Sequence, residues 1–157
     1  MVSPQVNPEL PQELGEVLRH LEACYPNEGC GLILRGPRGW TVRPMANVYD
    51  RYHAKDPERF PRTSRTAYLF DPKEWLAVSE QADREGVQVV CVFHSHADVG
   101  AYFSQEDREM AAPDGEPVLP GVSYLVVAVD GGKASAAKLF WWADNNFHEA
   151  PVSLPSR

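Results

Sequence analysis

The stretch between Val87 and Ala112 constrains the fold of this chain more than any other part of its sequence. VQVVCVF, at its start, is an apolar run rich in β-branched residues, which predicts a buried strand. HSH follows directly. SQEDREMAA then has the pattern of a helix start, with a Ser first and an acidic residue three positions later. A second apolar run, SYLVVAV, follows, and a strand, a helix and a strand in this order predict an α/β domain.

The segments on either side predict two further helices. In the first segment, apolar residues recur at the helical spacing i, i+3, i+4 and i+7: Leu14, Val17, Leu18 and Leu21. DPKEWLAVSEQADREG is the second predicted helix, with Asp71 as its N-cap, Glu74 completing a capping box and Gly86 at its end.

The remaining apolar segments predict strands. EGCGLILRG and GWTVRPMANV are predicted to pair across a turn at residues 36–39, and AAKLFWWA follows a turn at Asp130-Gly131-Gly132. FHEAPVSL is predicted as a short edge strand. Residues 50–66 show no periodicity and are predicted to form a long loop. The whole pattern predicts a mixed sheet flanked by helices.

The two histidines of HSH are predicted to share one face of their strand. Side chains alternate faces along a strand, so His94 and His96 lie with Val92, while Cys91 and Ser95 point the other way. The two imidazoles can therefore bind one ion together. Cys91 is excluded from that site, and Ser95 is predicted to have a structural role.

Residues Ser104 and Asp107 allow two interpretations that are compatible. In one, they form a capping box, with Ser104 as N-cap and Asp107 at the third helical position. In the other, the first helical turn faces the histidine strand and Asp107 is a third metal ligand. Two imidazoles and one carboxylate leave a fourth tetrahedral position for water, as in catalytic zinc sites.

A hydrolytic zinc site also needs a general base and a group that stabilises the oxyanion. Ser104 is the candidate for the oxyanion, because it lies three residues before the proposed ligand. Glu28 is the candidate base, a carboxylate directly before the apolar strand CGLIL; the alternative is a solvated turn residue.

The complete pattern resembles the JAMM (MPN+) metalloprotease family. HSH, seven residues and then SQED match the H-x-H-x7-S-x2-D signature of that family, and NEGCGLILRG is similar to its Glu-containing motif. The resemblance covers roughly residues 12–150. It implies an α/β fold with a single MPN/JAB domain, whose mixed β-sheet is cytidine-deaminase-like and flanked by helices.

The resemblance also implies a function. Family members cleave the bond after the C-terminal tail of a ubiquitin-like protein, so the chain is predicted to be a zinc isopeptidase or peptidase with a ubiquitin-like or sulfur-carrier protein as substrate. One zinc per chain is expected on His94, His96 and Asp107. Glu28 is expected to be the general base for a metal-activated water, and Ser104 the oxyanion-stabilising hydroxyl.

Two positions depart from the family pattern. Ala97 and Phe103 stand where the family usually has proline. Neither supplies a ligand, but proline fixes φ, so the loop between them is expected to be less rigid. We expect these two departures to affect substrate preference more than the hydrolytic chemistry.

Composition narrows the partners and the compartment. The formal net charge is -7, which argues against nucleic acid, because phosphate binding needs basic patches. No apolar run is long enough to span a membrane, and the start MVSPQVNPEL does not have the pattern of a signal peptide. The three cysteines, which form no CxxC pair, are predicted to be reduced thiols in the cytoplasm.

The predicted organisation is an N-terminal arm at residues 1–11, the metalloprotease domain at 12–150 and a C-terminal tail at 151–157. The alternative function is a catalytically silent scaffold of the same fold, acting in a protein complex. Scaffold domains of this kind typically lack the metal ligands, whereas this chain has His94, His96 and Asp107. A zinc deaminase is excluded, because the chain has no P-C-x-x-C motif.

A basic segment suggests a docking surface. Residues 51–65 contain five basic residues against two acidic ones, a local charge of +3 in a chain of net charge -7. We expect Arg59, Arg62 and Arg65 to contact an acidic surface of the ubiquitin-like partner. The alternative is a solvated loop whose charges contribute little.

Overall fold

The computed structural model describes residues 7–155 as a six-stranded mixed sheet with helices on both faces. Its strands are β1 (Cys30–Gly36), β2 (Gly39–Met45), β3 (Gln88–Ala97), β4 (Ser123–Asp130), β5 (Lys133–Ala143) and β6 (Asn146–Val152). Its helices are α1 (Gly15–Cys24), α2 (Tyr49–Lys55), α3 (Pro72–Glu85) and α4 (Gln105–Ala111). The predicted α/β class and mixed sheet are confirmed.

The strand order is β2-β1-β3-β4-β5-β6. Strands β3 and β4 run parallel and are joined through α4, whereas the other neighbouring pairs are antiparallel. The carboxyl end of β3, with the histidines, lies between the antiparallel neighbour β1 and the parallel neighbour β4.

Each face of the sheet carries its own apolar core. On one face, α1 buries Val17, Leu18 and Leu21 against a cluster that includes Ile33 and Phe93. On the other face, apolar residues of α3 and α4 pack with alternate residues of the same strands: Val78, Ala82, Ala111, Leu32 and Val92. Burying each large aliphatic side chain contributes about 1.5–3 kcal/mol. The predicted apolar stripe of α1 is therefore one wall of the domain core.

The prediction of a loop over residues 50–66 was wrong in its first part, which is helix α2. No residue of α2 is buried, so the helix has no apolar stripe that periodicity could reveal. Polar contacts and the packing of Tyr49 and Tyr52 on Phe60 hold it instead. The Tyr49 amide donates to Asn47 Oδ1 at 3.1 Å, and the Ser64 amide donates to Asp50 Oδ1 at 2.7 Å.

Helix α3 has two of the three predicted end signals. Asp71 accepts a hydrogen bond from the Lys73 amide at 3.0 Å, and Gly86 ends the helix in the left-handed region with φ 68°. The predicted capping box was wrong, because Glu74 accepts a hydrogen bond from the Ala46 amide, at 3.1 Å, instead of turning back to the cap. Glu74 thus ties α3 to the end of β2.

The predicted arm and tail are partly outside the described residues, which exclude residues 1–6 and 156–157. Strand β6 continues to Val152, so the predicted domain end at residue 150 falls inside a strand. Leu10 and Leu154 also pack against the core that contains α1. Among residues 7–155, no helix is long and apolar enough to cross a membrane.

Candidate metal centre

The pairing of β1 with β3 brings Glu28 to the histidines. Cys30 lies opposite His94 in this antiparallel pair. One residue earlier, the Gly29 amide donates to Ser95 Oγ at 2.8 Å and the Ser95 amide donates to the Gly29 carbonyl at 3.0 Å. Glu28 precedes this double contact, and its side chain is only 5% exposed. The structural role predicted for Ser95 is therefore to fasten the chain next to Glu28.

The two histidines share one face of β3, as the alternation predicts. Their exposed fractions are 0% and 3%, and His94 Nε2 lies 3.2 Å from His96 Nε2. Cys91 and Phe93 are buried in the core on the other face. The two imidazole nitrogens are thus close enough to share one ion, and Cys91 is separated from them by the sheet.

Helix α4 supplies Asp107 through its capping box. Ser104 Oγ accepts a hydrogen bond from the Asp107 amide, and Asp107 Oδ2 accepts one from the Ser104 amide, both at 3.0 Å. The same Oδ2 lies 3.3 Å from His94 Nε2 and 3.4 Å from His96 Nε2. One geometry is therefore compatible with both interpretations of Ser104 and Asp107.

His94 Nε2, His96 Nε2 and Asp107 Oδ2 are spaced like the ligand atoms of one tetrahedral metal ion. A zinc ion with ligand bonds of about 2.0–2.2 Å separates its ligand atoms by about 3.3–3.6 Å, close to the separations of 3.2, 3.3 and 3.4 Å found here. Ligand atoms of Glu28, His94 and His96 also lie within 4.8 Å of one another. The Glu28 carboxylate therefore lies beside the triangle of ligand atoms, and the Asp107 carboxylate forms part of that triangle.

Burial sets the protonation states of the ligand candidates. Burial, together with the neighbouring His96, lowers the pKa of His94 even though Asp107 opposes the shift. Burial alone would raise the pKa of Asp107, but His94 and the hydrogen bonds from both histidines and the Ser104 amide hold it well below its usual range. A neutral imidazole and an ionised carboxylate are the forms that bind metal.

The surroundings of Glu28 shift its pKa in the direction opposite to that of Asp107. Burial, and then the negative charge of Asp107, raise its pKa to about 9. A carboxyl group whose pKa lies above neutrality in the metal-free site holds a proton readily. Raised carboxyl pKa values of this kind are common at sites of proton transfer.

The site opens into a cleft of about 510 Å³. One wall comes from the segment after α2 and contains Arg59, Arg62, Arg65 and Tyr68; the other contains Tyr102 and Met110. Glu28, His96, Ser104 and Asp107 also line this cleft. The sequence-predicted residues are therefore together, and all but His94 border a space that a peptide can enter.

The loop between Ala97 and Phe103 is anchored without the family's prolines. Ala97 still pairs with Val129, as the last residue of β3. Asp98 accepts hydrogen bonds from the Gly131 amide at 2.9 Å and from the Tyr25 hydroxyl at 2.7 Å. Phe103, only 5% exposed, packs into the aromatic core. Strand pairing and exposed hydrogen bonds thus fix one end of this loop and core packing fixes the other, where the sequence predicted lower rigidity.

Two contributors to the site were missed by the sequence analysis. Tyr68 stacks on His94 with ring centroids 4.5 Å apart. Asn47 donates from Nδ2 to the Glu28 carbonyl at 2.8 Å and to the Ala67 carbonyl at 3.0 Å. The sequence offers Asn47-Val48 as a feature that fits the order of the JAMM family but gives Asn47 no role at the site, and Tyr68 lies in a segment without a recognisable motif.

Comparison with known proteins decides the family. Residues 11–144 match the sequence model described as prokaryotic homologues of the JAB domain. The chain belongs to this family. The JAMM resemblance drawn from HSH and SQED is confirmed.

Individual relatives agree with this membership. The chain is 29% identical over 132 residues to a desampylase of Haloferax volcanii, covering 82% of this chain and 79% of the relative. It is 29% identical over 121 residues to a probable TtuB-protein conjugate cleaving protease of Thermus thermophilus, covering 77% and 69%.

Solved structures show the same fold. A protein from Desulfitobacterium hafniense, at 25% identity, superposes with a TM-score of 0.63 and covers 92% of this chain and 89% of its own. A protein from Salinibacter ruber, at 26% identity, has a TM-score of 0.54 and covers 90% and 89%.

Asp107→Ala is expected to abolish metal binding. The carboxylate completes the ligand triangle, whereas loss of its capping contact alone costs about 1 kcal/mol of stability. Elemental analysis after dialysis against zinc measures the metal content. Glu106→Ala is the matched control, because Glu106 lies in the same helical turn and pairs with Arg62. Equal zinc in wild type and Asp107→Ala contradicts this ligand assignment.

The metal-free protein is expected to lose stability as the pH rises from about 4.5 to about 9. The pKa of Glu28 is raised from 4.5 to about 9 by folding, so the native state binds a proton that the unfolded state has lost. One such proton lowers the free energy of unfolding by about 1.4 kcal/mol per pH unit. Urea unfolding in chelator at pH 7 and pH 8 measures this slope, which Glu28→Gln should flatten. Identical slopes in the two proteins refute the shift.

Proposed function

We propose that this chain is a zinc-dependent isopeptidase that hydrolyses the bond after the C-terminal tail of a ubiquitin-like protein. The observation that carries the proposal is the triangle of His94, His96 and Asp107 with Glu28 beside it, in a cleft open to a peptide. Family membership and two relatives named for desampylation and for cleavage of TtuB–protein conjugates support it.

The proposed cofactor is one zinc per chain, held by His94, His96 and Asp107. When bound, zinc supplies Lewis acidity that lowers the pKa of a water and polarises a carbonyl. Glu28, whose carboxylate also lies within 4.8 Å of the ligand atoms of His94 and His96, would serve as the base in this assignment.

Glu28 is the proton carrier in this proposal. Hydrolysis of an amide takes a proton from the attacking water and adds one to the leaving amine. A single buried carboxyl group does both when its pKa is close to the working pH. The Glu28 backbone is tethered by Asn47, at 2.8 Å from its carbonyl, and its neighbour Gly29 is tethered by Ser95. These contacts fix the backbone that carries the carboxyl group next to the histidines.

Ser104 is the proposed donor to the oxyanion. Its Oγ accepts a hydrogen bond from the Asp107 amide at 3.0 Å, so the hydroxyl hydrogen stays available for a second partner. The side chain lines the cleft beside Asp107. A hydrogen bond from this hydroxyl to the scissile carbonyl oxygen strengthens as that oxygen gains negative charge.

A silent scaffold fits the site less well. Scaffold domains of this fold have no need of converging ligands, and here two imidazoles and a carboxylate meet within 3.4 Å. The substrate is either a ubiquitin-like conjugate or a sulfur-carrier protein. The cytoplasm remains the predicted location.

We also propose that the basic wall of the cleft contacts an acidic partner. Arg59, Arg62 and Arg65 line the same cleft as Glu28. Arg62 is already paired with Glu106 at 2.6 Å, so Arg59 and Arg65 are more available for docking. Positive charge at the cleft of an acidic protein steers an acidic partner towards it.

Glu28→Gln tests the proposed hydrolysis. The variant keeps size and polarity but cannot carry the proton, so we expect retained zinc and a rate lower by roughly 10²–10⁴-fold. The assay follows release of a reporter fused behind the tail of a ubiquitin-like protein. Glu109→Gln is the control, since Glu109 also lines the cleft. Full activity in Glu28→Gln shows that Glu28 is not the base.

Paired variants at Ser104 separate capping from catalysis. Alanine costs about 1 kcal/mol at an N-cap, whereas glycine costs only a few tenths. Loss of an oxyanion donor lowers the rate about 10²–10³-fold in either variant. We therefore expect equally low rates but different unfolding midpoints. If the Ser104→Gly rate matches wild type, Ser104 is only a cap.

Replacing Arg59, Arg62 and Arg65 with Ser tests docking. We expect a higher KM and a weaker salt dependence for a full-length ubiquitin-like substrate, with cleavage of a short tail peptide nearly unchanged. Three exposed arginines away from the cleft, Arg19, Arg38 and Arg84, give the matched control variant. Equal losses on both substrates, or none on either, reject the docking role.

A further inference from the structure

The two histidines of the site are oriented by different contacts. His96 Nδ1 lies 3.1 Å from the Gly100 carbonyl, and a hydrogen bond of this kind usually orients a metal-binding imidazole. His94 Nδ1 is buried and is, among residues 7–155, a side-chain nitrogen without any hydrogen-bond partner. The imidazole of His94 therefore depends on another contact for its orientation.

Tyr68 supplies that contact. Its ring stacks on His94 with centroids 4.5 Å apart and planes inclined by 26°. Phe70 packs on Tyr68 at 5.7 Å, and Tyr68 is only 9% exposed. The phenol ring is thus enclosed between the core and the histidine, and it covers one face of the imidazole.

Asn47 fixes the backbone on both sides of Tyr68. Its Nδ2 donates to the Ala67 carbonyl at 3.0 Å, and its Oδ1 accepts from the Leu69 amide at 3.2 Å. The Val48 amide donates to the Leu69 carbonyl, also at 3.0 Å. Because these bonds hold the residues before and after Tyr68, the phenol ring has a fixed position from which it can orient its neighbour.

We infer that Tyr68 is a positioning residue for the metal site: its ring holds the imidazole of His94 with Nε2 facing His96 and Asp107. Stacking takes the place of the missing hydrogen bond to Nδ1. An imidazole that binds a cation gains positive character, and the face of an aromatic ring attracts positive charge. The inference rests on the proposed metal site and adds a residue to it.

The ring, and not the hydroxyl, is the part that matters. Tyr68→Phe keeps the stacked ring, so its zinc Kd should stay within about threefold of wild type. Tyr68→Leu fills the core without an aromatic face. Loss of an orienting contact behind a metal ligand typically costs 10–100-fold in affinity, and we expect an increase in Kd of that size.

Two other aromatic residues provide controls. Tyr102 lies edge-on to His96 at 4.8 Å, but the Gly100 carbonyl orients that imidazole. Tyr102→Leu should therefore leave the zinc Kd unchanged. Phe103 is as buried as Tyr68 but packs on Phe140 and Phe147, so Phe103→Leu should lower stability without changing the zinc Kd.

The experiment measures zinc affinity by competition with a chromogenic chelator, and the visible spectrum of the cobalt(II) form. Thermal unfolding without metal records stability separately. Weaker binding and an altered cobalt spectrum in Tyr68→Leu, rescued in Tyr68→Phe, support the inference. Zinc binding as tight in Tyr68→Leu as in wild type overturns it. If wild type itself binds no zinc, the proposed metal site fails together with the inference. Should Tyr68→Leu not fold, Tyr68→Met is judged by the same criteria.

Discussion

The antiparallel contact between β1 and β3 is the interaction on which the candidate site depends. It sets Cys30 opposite His94 and joins Gly29 to Ser95 by two hydrogen bonds, so that Glu28 emerges beside the histidines. A shift by one residue would turn every side chain of β1 to the other face. Gly31 permits the close approach, because a Cβ there would lie 2.3 Å from the Phe93 ring.

The start of α4 serves the fold and the site with the same atoms. Asp107 Oδ2 accepts a hydrogen bond from the Ser104 amide and also faces the Nε2 atoms of both histidines. The capping box therefore fixes the rotamer of the proposed ligand before any metal arrives, which lowers the entropy lost on binding. The hydrogen bond of the capping box also stabilises the Asp107 carboxylate, which is largely removed from water.

Two carboxyl groups in one cleft have opposite protonation tendencies, and their surroundings explain why. Asp107 accepts hydrogen bonds from both histidines and from the Ser104 amide, and these bonds stabilise its negative charge despite burial. Glu28 is also buried but faces the negative charge of Asp107, which favours its protonated form. Pairs whose pKa values diverge in this way are typical of sites in which one group holds charge and the other moves protons.

The sequence by itself determined the strands and three of the four α-helices, because apolar periodicity and end signals are local patterns. It also gave the five proposed site residues, through HSH, SQED and NEGCG and the family resemblance that they carry. It did not reveal α2, which has no buried face, or the bond of Glu74 to Ala46, since both depend on polar contacts between distant segments. Tyr68 and Asn47 became part of the site only through folding. Stacking and backbone tethering depend on which segments meet in space, and only the tertiary structure decided that Tyr68 lies against His94.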